Sequence, residues 1–436
     1  MDGQVIALAG WLTELFTTVA ETVAAETGFV KRVRTITGAG FVRTLVFGWL
    51  GDPRATLEDF AEHLGVTPPA IQNRFTDRGV ALMRALLEKA AVYVARAEAA
   101  GADLIDRFCG IYVEDCTSIA LPASLRDVFP GCGGAQPGQG AAGVKALLRF
   151  EVTSGALCGL ELDRQSENDL NLSRRAGDVP RGALYLADLG FWCLARLRRF
   201  SEAGIHWVSR IPSSATLCVN GEFEKLALFL EKQTADRVDG NVLLGAEQLP
   251  SRLVAVRCPP EVAAEKKRRL RRKMKKKGKQ PSAQQLIFCA WLVLATNLPA
   301  EQFTVEELWT LYRVRWQIEL VFKRWKSVLQ LDSSNARSDG RRRLIELYAK
   351  LLGALVAHWG SLLRAGLLTQ YSLHSILKRV RQSMIQLEHP LRHNDPQAVL
   401  DLLQKLLERL NRLKPRANRK TNPGTMEIIR NPTLAF

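Results

Sequence analysis

The 436-residue chain has no C-x-x-C pair and no clustered histidines. Its eight cysteines stand apart, at 109, 116, 132, 158, 193, 218, 258 and 289, and its six histidines are dispersed. That spacing speaks against a zinc site and against a disulfide framework, and it fits reduced thiols in a cytoplasmic protein. A G-x-x-x-x-G-K-[ST] stretch is also missing, so the glycine-rich segment 131–143 is not a P-loop and no nucleotide cofactor is expected. Long apolar runs are lacking too. Glu14 interrupts the apolar N-terminus, which argues against a signal peptide, and the run 351–359 is too short to span a bilayer. No membrane partner is expected, and no internal repeats are visible. The remaining shortage is of negative charge. Against 61 Lys and Arg stand 44 Asp and Glu, a net charge of +17. Such a chain expects a polyanionic partner, most simply nucleic acid, although charge alone fits a ribosomal or membrane-surface protein as well.

What is present begins with helices. Residues 1–103 are rich in Ala, Leu, Val and Glu, with turn signals at 38–40 and 51–53. Within them, residues 56–75 read as a helix-turn-helix. Thr56 caps a helix over 57–64, Gly65 turns the chain, Thr67 caps again, and Pro68 and Pro69 suit a first turn. The second helix would present Gln72, Asn73 and Arg74 to bases or phosphates; an ordinary helical hairpin has the same pattern.

From 104 to 212 the pattern changes to short strands at 111–113, 144–152, 156–162, 183–187 and 205–211, with a helix over 191–203. The second and third are close enough to form an antiparallel hairpin. The first ends at Glu114 and Asp115, the fourth at Asp188. Sites in open α/β sheets lie beyond strand ends. Strand alternation sends Glu114 and Asp115 to opposite faces, so they are rivals as ligands. Each aspartate alone could equally be a turn former or helix cap. Arg210 closes the fifth strand as a further cation. Residues 213–299 read as β-rich, with strands at 216–219, 241–244, 253–258 and 286–294. They contain a run, 266–279, with 11 basic residues in 14. It reads as a solvated or disordered segment that grips nucleic-acid backbone without sequence preference, Lys273 and Lys275 included. From about 330 the chain is helical, over 341–368, 372–386 and 396–413, with Asp395 as a cap. A basic tail, 414–420, follows.

The segment 311–329, LYRVRWQIELVFKRWKSVL, has no Pro or Gly and a helical period. At about 100° per residue, Val314, Ile318, Val321, Trp325 and Leu329 share one arc, the side for a core. Tyr312, Arg315, Glu319, Lys323 and Lys326 gather opposite. A cationic face suits phosphate, and a carboxylate among those cations makes most sense if a divalent metal joins it to the phosphate. A surface helix with i, i+4 ion pairs such as Arg315 with Glu319 is the plainer reading. The spacing Tyr312, Arg315, Glu319, Lys326 resembles the signature helix of the DDE transposases of the insertion-sequence-four family. The aspartates match as well: Asp115 as D-x-T after an apolar strand, and Asp188 followed by Gly190 and Phe191.

The resemblance implies an α/β fold: a ribonuclease-H-like catalytic core over 104–212 and 300–345. The β-rich stretch 213–299 would interrupt it. An all-helical DNA-binding domain, 1–103, and a helical C-terminal region, 346–436, would flank it. It further implies that Asp115, Asp188 and Glu319 hold two Mg²⁺ ions, with Mn²⁺ able to substitute. Tyr312, Arg315, Lys323 and Lys326 would contact a phosphate of double-stranded DNA at the element's end. The expected activity is cleavage at transposon ends and strand transfer into target DNA, through a hairpin intermediate, by a synaptic homodimer in the bacterial cytoplasm at the nucleoid. Trp291, 28 residues before Glu319, corresponds to a Trp that stacks on a flipped base in hairpin-forming relatives. A core Trp in an apolar strand fits the same position. A plain metal-dependent nuclease and a non-catalytic DNA-binding derivative are the alternatives.

Overall fold

The structure, a computed structural model, describes residues 2–432 apart from 33–34, 99–100, 133–140, 220, 335, 337–338, 367, 370 and 416–423. Most of the glycine-rich segment and of the basic tail therefore lies outside the described residues. The chain is mixed α/β. Its strands are β1 (Ile111–Ala120), β2 (Gly143–Glu151), β3 (Ala156–Arg164), β4 (Leu184–Ala187), β5 (His206–Arg210), β6 (Thr216–Val219), β7 (Glu222–Lys225), β8 (Arg237–Leu244), β9 (Leu249–Arg257) and β10 (Trp291–Thr296). Among the described residues these ten strands form one sheet, in the order β3-β2-β1-β4-β5-β10-β9-β8-β6-β7. By compactness the chain divides into two units. One holds residues 1–100, 114–177 and 316–426, and the other 101–113, 178–315 and 427–436.

The first unit is mainly helical. Its centre is the helix Gly340–Leu362, in which every residue from Arg343 to Leu362 is buried. A helix apolar on most sides can only be a core element. It meets the helices Gly38–Gly51, Asp77–Ala91 and Leu373–Met384. Gly360 permits that approach, since a Cβ there would stand 2.1 Å from the Met384 methyl. The buried Lys350 ammonium on this helix binds Glu346 at 2.7 Å and the Ser333 and Pro53 carbonyls at 2.7 and 3.1 Å, so its charge is satisfied. The hairpin β2–β3 also belongs here and is antiparallel, as its spacing predicts. Asp395 caps Pro396–Asn411 by accepting from the Ala398 N–H at 2.9 Å. One helical run, Gly3–Glu26, is long and apolar enough to cross a membrane. Its Leu8, Leu12, Leu15 and Phe16 are buried in this unit.

The second unit carries the strands from β4 onward. β4 lies parallel to Ile111–Val113 of β1 and to β5, and β5 pairs antiparallel with β10. The Asn297 side chain, just past β10, holds the start of β5 by accepting from the Trp207 N–H at 2.8 Å and donating to the Ile205 carbonyl at 2.9 Å. Arg196 is buried between the rings of Tyr185 and Phe200, at 4.7 and 5.0 Å.

Several expectations need correction. Residues 38–40 are no turn; they open the helix Gly38–Gly51, where Gly38 is needed because a Cβ would meet Ala24 at 2.2 Å. β1 does not end at Glu114 and Asp115 but runs through them to Ala120. The helix expected over 191–203 begins only at Leu194, after a 3-10 turn. The expected strand 286–294 splits into a helix, Ala283–Phe288, and β10. A Ser282–Gln285 capping box starts that helix, and a short apolar run cannot distinguish the two states. The basic run is no disordered segment up to Lys275: Pro260–Lys275 is helical. Lys and Arg are good helix formers, and Glu265 pairs with Arg269 at 2.7 Å. The second helix of the helix-turn-helix, Pro68–Gln72, is only 5 residues long. Finally, the signature segment is two helices, Val305–Val314 and Trp316–Ser327, meeting at Arg315. The predicted arc is nonetheless the buried one: Val314, Ile318, Val321, Trp325 and Leu329 are each at most 5% exposed.

Candidate active site

Asp188 follows β4, whose four residues are all buried, so the backbone that carries it is fixed. It stands before the turn Leu189–Phe191 but makes no side-chain cap to it. Its carboxylate faces two residues of the signature segment instead. The Tyr312 hydroxyl donates to Oδ1 at 3.4 Å, and the Arg315 guanidinium lies 3.9 Å from Oδ2. The guanidinium also sits 5.8 Å from the Tyr312 ring. Burial raises the Tyr312 pKa above its ordinary value, Arg315 and Arg210 pull it back, and Asp188 adds to the rise. The phenol therefore stays a neutral donor across the physiological range. Arg315 is 9% exposed, so it is no surface residue of the kind a simple helical wheel suggests.

Asp115 lies on the stretch of β1 where the side chains become half-exposed, and its Oδ1 accepts from the Cys116 N–H at 2.8 Å. Glu114 points the other way, fully buried against Arg149. Glu319 is half-exposed in the first turn of Trp316–Ser327. Lys326, from the last turn, donates to the Ser118 carbonyl on β1 at 3.2 Å and pairs with Asp332 at 3.3 Å. That bond ties the signature helix to the strand of Asp115. Asp115 precedes Ser118 by about 10 Å of strand, and Glu319 precedes Lys326 by about 10 Å of helix. Lys323 is exposed. Among the described residues no three His, Cys, Asp or Glu side chains already form a metal-ligating group.

Residues 111–352 match the transposase DDE domain family. The chain belongs to that family. The match begins with β1 and takes in both aspartates and the signature segment. The chain is 25% identical over 439 residues to the transposase of insertion sequence IS231F from Bacillus thuringiensis, covering 92% of this chain and 89% of the relative. It is 25% identical over 274 residues to the transposase of IS1151 from Clostridium perfringens, 57% of this chain and 56% of the relative. A shorter stretch of 117 residues is 39% identical to the putative transposase InsL of IS186A from Escherichia coli, 27% of this chain and 31% of the relative. DDE transposases cut DNA, transfer strands and depend on divalent metal, and DNA is the partner of this one.

In this DDE transposase the remaining candidates divide by exposure. Trp291 is 3% exposed, with the Arg257 guanidinium 4.3 Å over its ring, which is the core placement. Trp316, by contrast, is 55% exposed, in the same helical turn as Glu319. Nothing in the motif spacing singles it out. The signal was its place on the wheel, about 200° round from Val314, where an aromatic has no core to face. Lys273 and Lys275 are exposed on the basic helix. Gln72 and Asn73 are exposed. Arg74 is half-buried, donating to the Phe29 carbonyl at 3.3 Å. Asn73 and Arg74 line an open cavity of about 990 Å³ whose other walls include Lys31, Arg32 and Arg78, three cations that motif reading passed over.

Proposed function

We propose that this transposase cuts at the ends of its element and joins them to target DNA with Asp115, Asp188 and Glu319 as its acidic set, in a ribonuclease-H-like core. The observation that carries the reading is the cluster of Asp188 with Tyr312 and Arg315, which joins a strand-end aspartate to a helix 124 residues later in sequence. The strand order β3-β2-β1-β4-β5, with β1, β4 and β5 parallel, supports the core assignment. The three carboxylates are hard oxygen donors, the set that Mg²⁺ and Mn²⁺ take, and Asp188 leaves 36% of its side chain open. Two Mg²⁺ ions held there would supply charge neutralisation and a more acidic water at neutral pH, with Mn²⁺ as substitute.

The chain's own residues do the rest. Arg315 offers a planar fork to one DNA phosphate, and Tyr312 donates a neutral hydroxyl beside it. Lys323 and Lys326 add point charge. Cutting and joining are the same phosphoryl transfer, so neither needs a nucleotide cofactor. The cationic cavity around Arg74 and the helix Pro260–Lys275 hold DNA backbone. If release passes through a hairpin, Trp316 is an exposed aromatic in the same helical turn as Glu319, suited to stacking an extruded base. Two copies would pair the two ends at the nucleoid.

A labelled duplex carrying the element's end, incubated with Mg²⁺ or with EDTA, tests this. Metal-dependent nicking and a hairpin sensitive to Trp316→Ala but not to Trp291→Phe is the expected outcome. Tight binding with no cutting in any divalent metal would leave a DNA-binding protein only.

A further inference from the structure

Glu114 and Asp115 are adjacent carboxylates on one strand. Only one of them can face a given side. A slip or rotation of β1 by one residue would present Glu114 where Asp115 now stands. Contacts in the core hold the choice. Both Glu114 oxygens are engaged: Oε1 accepts from Arg149 and Oε2 from the Ser173 hydroxyl. Arg149 in turn donates Nη1 to the Ala176 and Gly177 carbonyls at 2.9 and 2.6 Å, and Nη2 to the Ser173 carbonyl at 3.0 Å. With Nε and Nη2 also at Glu114, all five of its N–H groups meet acceptors. Glu114 and Arg149 expose 0% and 1% of their side chains.

The surrounding backbone is shaped for this pair. The β2–β3 register shifts between Arg149 and Phe150, a bulge that re-aims the side chain. Opposite Arg149 on β3 stands Gly159, where a Cβ would meet Ala176 at 2.9 Å, so the glycine lets the segment whose carbonyls hold Arg149 lie close against the strand. A buried ion pair is poor value as a source of stability, because apolar residues of similar volume serve as well or better. A guanidinium, its carboxylate, a bulge and a facing glycine are therefore a costly way to fill a core.

We propose that Arg149 and Glu114 are positioning residues that lock β1 in register, so that Asp115 and never Glu114 is presented to metal. This rests on the assignment of Asp115 as a metal ligand. The lock works by charge: Arg149 offers Glu114 a counter-charge in the core that it would lose on turning outward.

The test uses the full chain and Mn²⁺, with binding followed from the electron paramagnetic resonance of the free ion and thermal unfolding measured in parallel. Arg149→Met leaves Glu114 buried without its counter-charge, so the strand turns it outward, and Mn²⁺ affinity falls about ten-fold or more. The double variant Glu114→Leu/Arg149→Met removes the charge that drives the turn, and affinity returns to within about three-fold of wild type. The Mg²⁺ concentration for half-maximal DNA cleavage shifts in the same order. If Arg149→Met does not fold, Arg149→Lys replaces it, keeping the charge but losing the fork. Lower thermal stability with unchanged Mn²⁺ affinity would overturn the proposal, as would a folded double variant that stays defective. If wild type binds no Mn²⁺, or Asp115→Ala binds it equally well, the ligand assignment fails and the lock falls with it.

Discussion

The two halves of the signature segment sit in different environments. Val305–Val314 and the adjoining Arg315 turn their functional groups inward: Tyr312 is largely buried, Arg315 is 9% exposed, and both address Asp188. Trp316–Ser327 turns its groups outward, with Glu319 half-exposed, Lys323 exposed and Trp316 at 55%. A buried group arrives oriented and costs little to organise at the moment of reaction. An exposed group is organised only when a ligand reaches it, but it can be reached. The segment thus pairs a fixed half, which presents donors, with an open half, which presents a carboxylate and charge.

The sharpest way to break that contrast is to remove the open half's carboxylate. Glu319→Ala should lower single-turnover cleavage by on the order of 10³-fold or more while leaving the Kd for DNA near wild type. A comparable loss of binding would mean that Glu319 is structural. In the fixed half, Arg315→Lys keeps the charge and loses the fork. Cleavage should fall by about 10²-fold with DNA affinity little changed. Tyr312→Phe should cost about ten-fold. Because burial keeps this phenol neutral, the shape of the rate profile between pH 6 and 9 should be the same for Tyr312→Phe as for wild type. A new inflection would contradict the buried donor.

Smaller effects sharpen the picture. Lys323→Ala, on the open half, should flatten the slope of log K against log salt by about 0.9, the signature of one phosphate contact. An unchanged slope would remove Lys323 from the DNA surface. Deeper in the core, His358 approaches the Gly155 carbonyl through Nε2 at 2.9 Å, and burial lowers its pKa to about 4. The unfolded chain takes up that proton near pH 6.5, the folded one only near 4. His358 therefore contributes stability above pH 6.5 that is lost as pH falls toward 4, at most about 3 kcal/mol. His358→Gln should reduce the drop in melting temperature across that window. An undiminished drop would place the titration elsewhere.

Sequence alone made the local features legible. The buried arc through Val314, Ile318, Val321, Trp325 and Leu329 follows from a 3.6-residue period, and the caps at Thr56 and Asp395 follow from residue type. Motif spacing singled out Asp188, Tyr312 and Arg315, but not the contact between them. What depends on distant partners was not legible. The break at Arg315 leaves no Pro or Gly behind. Trp291 is buried with Arg257 of a neighbouring strand over its ring, while Trp316 is exposed. The basic run reads as solvated charge, yet Pro260 at its start and Glu265 within reach of three arginines make it a helix. Nothing near Glu114 in the chain announces Arg149, 35 residues on.

The most direct measurement is single-turnover cleavage of an end-bearing duplex in Mg²⁺ by wild type and by Asp115→Ala, Asp188→Ala and Glu319→Ala, each at saturating DNA. All three variants should bind the duplex and none should cut it. Cleavage retained by any one of them would take that residue out of the acidic set and reopen the choice of its neighbour, Glu114 first.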